Sequence, residues 1–192
     1  AIYSKLYETW SEGPYVIRGL VKSLAGLKKL DKAREQLDAY LQKKPNSSAV
    51  LYGLGLLHYM ESDAEKAESY LIRAIEQNKT NAPAHNTLAV ILFDKKQYKE
   101  AIEQLQKALA ANPADLLIYH NLWRTYGEMG QSSRFLGEFE SAKKEKSKVK
   151  MLGYGRAYAT ALRQEGFGLY EKGDVPGALD KMNVMLNVFR DI

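Results

Sequence analysis

A 34-residue interval runs through this chain: Leu20, Leu54, Leu88 and Leu122 occupy it in succession. Ala33, Ala67 and Ala101 keep the same spacing, with Phe135 on the next rung, and Leu37, Leu71, Leu105 and Phe139 form a third series. A period of about 34 residues fits one helix–turn–helix unit stacked on the next. No such unit can bury its apolar face alone, so the core must be built between neighbours, one repeat at a time. The ladder therefore points to an all-α solenoid rather than to a fold with one central core.

Within the unit 82–115, Leu88, Leu92, Ala101, Leu105 and Ala108 are apolar at helical spacing, with a break at Asp94-Lys95-Lys96-Gln97 and an end at Asn112-Pro113. This predicts two helices joined by a tight turn. Ser47, Asn81 and Asp115 stand just before the next helix, where their side chains can cap free backbone N–H groups. Pro14 and Pro83 fall in first turns, where a missing N–H costs little.

The motif His85-x2-Leu88-Ala89-x2-Leu92, then Ala101-x3-Leu105, Ala108 and Pro113, resembles the tetratricopeptide repeat. Leu51-x2-Leu54-Gly55-x2-His58 with Ala67-x3-Leu71, and Ile17-x2-Leu20-Val21-x2-Leu24 with Ala33-x3-Leu37 and Pro45, follow the same pattern. The resemblance implies a right-handed superhelix of antiparallel helix pairs. Its units are residues 14–47, 48–81, 82–115 and a divergent 116–149, with an offset, degenerate fifth unit at 150–192. Residues 1–13, with Tyr3, Leu6 and Tyr7, suit the second helix of a truncated preceding repeat, and all are read as one solenoid domain.

Two regions depart from the pattern. Trp123 stands where the first helix needs a small residue and Phe135 replaces the alanine opposite, so that helix pair must widen. The period then slips by about nine residues, because Gly173-Asp174 and Ala178 arrive late. A lengthened helix over about Met151 to Lys172 absorbs the slip, although Gly153, Gly155, Gly166 and Gly168 weaken it.

In this family the first helices line a concave surface. By resemblance that groove carries Arg18, Lys22, Tyr52, Leu56, Tyr59, Asn86, Val90, Phe93, His120, Asn121 and Arg124, extended by Arg163, Phe167 and Tyr170 if the last unit is a repeat. Tyr52, Leu56 and Tyr59 recur as one helical stripe, which supports the assignment; packing on neighbouring helices is the alternative. Apolar side chains of a bound peptide or protein would meet the aromatics, its backbone Asn86 and Asn121, and its acidic groups Arg18, Lys22 and Arg124. The carboxylate clamp found in some members is absent, since Gly53, Pro83 and Thr87 occupy its positions.

The expected function is a protein–protein interaction scaffold without catalysis. The alternatives are a module that self-associates through Met182, Met185 and Phe189 on an apolar last helix, and a substrate-presenting part of a larger enzyme. No cofactor or metal is expected, because the three histidines lack partners at ligand spacing, and His58 and His85 fall on core positions. The absence of cysteine excludes disulfides and thiolate chemistry and suits cytoplasm and periplasm alike. No run approaches the roughly 18 apolar residues of a membrane span, and AIYSKLYETW does not read as a signal peptide. Of the net charge of +5, the run Lys143–Lys150 contributes five lysines against one glutamate. Lacking interleaved aromatics, it is read as a solvated linker and not as a nucleic-acid contact.

Overall fold

The computed structural model describes residues 13–192, so Tyr3, Leu6 and Tyr7 lie outside the described residues. Among the described residues the chain forms ten helices and no strand. They are α1 (Pro14–Gly26), α2 (Leu30–Lys43), α3 (Ser48–Met60), α4 (Ala64–Gln77), α5 (Ala82–Asp94), α6 (Tyr98–Ala111), α7 (Leu116–Glu128), α8 (Ser132–Lys144), α9 (Lys148–Glu171) and α10 (Val175–Asp191).

The 34-residue period appears in the backbone as well as in the core. Lys28, Ser62, Lys96 and Gly130 all take the left-handed conformation, with φ of 56°, 64°, 61° and 65°. Each sits in the turn between two helices of a pair, where paired backbone bonds close the end of the first helix. At the second turn Ser62 N donates to Tyr59 O and Asp63 N to His58 O; at the third, Lys96 N donates to Phe93 O and Gln97 N to Leu92 O. This Schellman arrangement satisfies carbonyls that the helix end would leave open.

The junctions between pairs are built differently. Ser47 Oγ accepts from Val50 N, Asn81 Oδ1 from Ala84 N and Asp115 Oδ1 from Leu117 N, so all three expected caps form. Pro14 and Pro83 lie in the first turns of α1 and α5. Asn81 does more than cap: its Nδ2 donates to Ser48 Oγ at 2.9 Å, and that hydroxyl donates to Ala74 O at 2.7 Å. A buried amide thereby ties three successive elements together.

The described chain falls into two compact units, one ending at Ala111 and one spanning Asn112–Ile192. In the first unit the pairs α3/α4 and α5/α6 meet closely. Small residues permit this, as expected from Gly55 and Ala67: a β-carbon at Gly55 would lie 2.8 Å from Leu71 Cγ and 3.2 Å from Ala67 O. Helix α1 packs on α2 and α3 and reaches α5.

In the second unit α7 and α8 approach far less closely than α3 and α4 do. Trp123 and Phe135 meet edge to face at 5.2 Å between ring centroids, which accounts for the wider spacing. The basic run is not the linker expected from its composition. Lys143 and Lys144 end α8, Lys146 takes φ of 53° in another Schellman turn, and Lys148 starts α9. A tight turn of the kind found inside pairs has replaced the capped junction, so α9 follows α8 after three residues. Helix α9 then runs unbroken for 24 residues through all four glycines. Gly153 and Gly155 serve close packing: a β-carbon would overlap the Tyr119 ring at the first and Ile192 at the second.

Candidate protein-binding surfaces

In the first unit the expected groove residues divide by burial. Tyr52 is fully buried, Leu56 and Asn86 are buried, and every residue of α3 from Ala49 to His58 is inside the protein. Helix α5 is buried from Ala82 to Ala89. A helix apolar on all sides is expected to be enclosed on all sides, and α1 lying on α3 and reaching α5 covers part of this face. Side chains expected at an open surface therefore sit in the interior, Tyr52 foremost. Tyr59, Val90 and Phe93, at the C-terminal ends of α3 and α5, remain half-exposed. Tyr59 Oη donates to Asp94 Oδ2 at 3.4 Å, and Phe93 meets Tyr98 at 5.3 Å. Arg18 is half-exposed with its guanidinium 4.7 Å above the Tyr15 ring, and Lys22 is exposed. At the clamp positions, Pro83 and Thr87 are buried and Gly53 abuts Leu37, leaving no basic side chain there.

Both core histidines are accounted for by packing. His85 places Nδ1 2.7 Å from Gln104 Oε1 and Nε2 3.0 Å from Lys79 O. His58 stacks on Tyr70 at 5.4 Å with an angle of 8° between the rings. Its buried Nδ1 makes no hydrogen bond, with Asp63 Oδ2 3.6 Å and Glu61 Oε2 3.8 Å away. Burial, followed by the Arg34 charge, pulls the His58 pKa below its usual value, while Asp63 and Glu61 pull against them. On the second-helix side of this unit, Ile72, Ile75, Lys79, Leu88 and Lys107 line a depression of about 550 Å³ that pattern reading does not anticipate.

In the second unit His120 and Arg124 are exposed on α7 and Asn121 is half-exposed. Behind them lies an aromatic cluster. Trp123 touches Tyr158 at 5.3 Å, Phe135 touches Tyr154 at 5.0 Å, and Tyr119 meets Tyr154 at 4.8 Å. Tyr126 and Tyr154 each donate a hydroxyl to the Glu138 carboxylate at 2.7 Å. Burial raises the Tyr119 pKa to about 12, and burial with the Glu138 hydrogen bond pushes Tyr154 up further. These phenols stay protonated and act as donors, which makes the cluster a structural brace. Sequence reading misses it, although Tyr119 and Gly153 stand one period apart.

Arg163, Phe167 and Tyr170 are exposed on α9. On α10 Met182 and Met185 are half-buried, while Leu179, Leu186 and Phe189 are exposed. Among the described residues no cluster of His, Asp and Glu could hold a metal ion, and no helix is long and apolar enough to cross a membrane.

Two tetratricopeptide-repeat family models match this chain, one at residues 18–83 and one at 58–131. Together they span the first three helix pairs and reach into the fourth. The chain belongs to the tetratricopeptide-repeat family. It is 29% identical over 104 residues to tetratricopeptide repeat-containing protein trd-1 of Caenorhabditis elegans, a match covering 54% of this chain and 13% of that relative.

Solved structures share the fold of this tetratricopeptide-repeat protein. The PilF structure of Pseudomonas aeruginosa has a TM-score of 0.62 at 18% identity, covering 93% of this chain and 77% of PilF. MamA of Desulfovibrio magneticus RS-1 has a TM-score of 0.57 at 19% identity, covering 92% and 95%. YrrB, a tetratricopeptide-repeat protein with an unusual peptide-binding site, has a TM-score of 0.55 at 17% identity, covering 98% and 92%. The fold is that of a scaffold for protein–protein contacts, built to present surface on successive helices.

Proposed function

We propose that this protein is a non-enzymatic scaffold that holds a peptide or protein segment on its first helices. In one unit the contact surface is the exposed part of α1, α3 and α5; in the other it is the exposed face of α7. The observation that supports this most is the set of half-exposed apolar side chains Tyr59, Val90 and Phe93. They end two helices that are otherwise almost wholly buried. Such a patch offers packing area to an incoming apolar side chain, with Arg18 and Lys22 on α1. On α7, Arg124 and His120 flank Asn121 and favour acidic and backbone groups. YrrB, which shares the fold, has a peptide-binding site.

The buried Tyr52, Leu56 and Asn86 act in this reading as supports that fix the helices bearing the surface. The test is a double variant, Tyr59→Ala with Asn121→Ala, against a peptide selected by display on the intact chain. Affinity falls at least about tenfold while the circular-dichroism spectrum stays helical. Undiminished affinity would sink the assignment.

A further inference from the structure

Helix α9 carries a stripe that takes in the expected groove extension, Arg163, Phe167 and Tyr170, and continues it through three residues outside that pattern, Val149, Leu152 and Arg156. Val149, Leu152, Arg156, Arg163, Phe167 and Tyr170 are separated by steps of three, four, seven, four and three residues. At 100° per residue these steps place all six on one stripe of a straight helix. The stripe is open to solvent: Val149 is 47%, Leu152 37%, Phe167 58% and Tyr170 63% exposed, and both arginines are exposed.

The adjoining face of α9 is occupied. Gly166 lies against Lys181 and Met182 of α10, and Glu165 takes the Lys181 ammonium at 2.7 Å. Glu165 is thus held away from the stripe. Arg156 and Arg163 have no ion-pair partner among the described residues. Elsewhere in this unit lysines near carboxylates are paired: Lys143 with Asp191 and Glu140, and Lys150 with Glu145. Two unpaired arginines, whose backbone positions the helix rise sets about 10 Å apart along the axis, with an apolar pair beyond each, form a pattern that reads the same from both ends.

We infer that this stripe docks an acidic amphipathic helix from a partner protein. The complementary segment carries two carboxylates seven residues apart on one face, with apolar residues beyond them at both ends. Its carboxylates accept from the Arg156 and Arg163 guanidiniums, and its apolar side chains cover Val149 with Leu152 and Phe167 with Tyr170. Pairing of α9 with α9 of a second copy is disfavoured. Laying α9 antiparallel on itself sets Arg156 against Arg163, and like charges directly opposed repel. The inference rests on the scaffold reading of the family, but it does not depend on Tyr59, Phe93 or Asn121.

The experiment uses the full chain and a synthetic, fluorescein-labelled helical peptide with glutamates at two positions seven residues apart and leucines flanking them. A matched peptide has glutamine at both positions, and another has lysine. Fluorescence anisotropy shows saturable binding of the glutamate peptide, at least about tenfold tighter than the glutamine peptide. In the variant Arg156→Glu with Arg163→Glu the preference inverts toward the lysine peptide, with an unchanged helical spectrum. Phe167→Ala weakens binding of all three. The double variant Tyr59→Ala with Asn121→Ala binds the glutamate peptide as the parent chain does, which separates this surface from that of α3, α5 and α7.

Equal binding of the glutamate and glutamine peptides overturns the inference, as does absence of saturable binding. Binding to phosphatidylserine vesicles without binding to the glutamate peptide also overturns it, and assigns the stripe to an anionic membrane surface.

Discussion

Four residues spaced by 34, Lys28, Ser62, Lys96 and Gly130, adopt the same left-handed backbone, yet only the last is glycine. The left-handed conformation costs a residue with a β-carbon about 1–2 kcal/mol, partly offset by the unfolded-state entropy that glycine adds. Lys96→Gly is therefore expected to stabilise the chain by about 0.5–1 kcal/mol, and Gly130→Ala to destabilise it by about 1 kcal/mol, in urea titrations. His58 gives a prediction with a sign in pH. Its folded pKa is lowered, so the unfolded state takes up a proton first as pH falls. Its contribution is complete above the unfolded value of about 6.5 and is lost as pH falls through 6.5 toward the folded value. Titrations at successive pH values between neutrality and pH 5 will show a steeper loss for the parent chain than for His58→Phe.

At the scale of elements, spacing and turn chemistry made most helices legible, because caps and breakers act locally. Ser47, Asn81 and Asp115 announce helix starts through their side chains, and the small residues at Gly55 and Ala67 announce a close pair. The stretch after Lys143 resisted the same reading. Its lysines signal solvation by composition, but three residues with one left-handed φ suffice to reverse the chain, and composition does not encode φ. Gly153 was misleading for a related reason: its cost to the helix is local, whereas its benefit lies against Tyr119 on another element. The mismatched pair α7/α8 offers a direct check. Trp123 and Phe135 contact each other, and each meets a further ring of α9, Tyr158 and Tyr154 respectively, so their truncations should not add. A double-mutant cycle of Trp123→Ala and Phe135→Ala is expected to give a coupling of about 0.5–1.5 kcal/mol; additivity would show that the rings do not support one another.

For the molecule as a whole, a period read along one dimension establishes which residues meet their repeat neighbours. It does not say what covers a first helix from the inside. That is why the ladder of core leucines and alanines carried over to the structure, while Tyr52, Leu56 and Asn86 were expected at a surface and lie inside. Tyr59, Val90, Phe93, His120, Asn121 and Arg124 keep partial or full exposure, and the proposed binding falls to them. It is tested most directly by amide and side-chain NMR of the intact chain titrated with a display-selected peptide. Perturbations are expected at Tyr59, Val90, Phe93, His120, Asn121 and Arg124, with the second-helix residues Ile72, Ile75 and Lys107 unmoved. Perturbations centred instead on the depression lined by Ile72, Ile75 and Lys107, with Tyr59 and Phe93 silent, would contradict it.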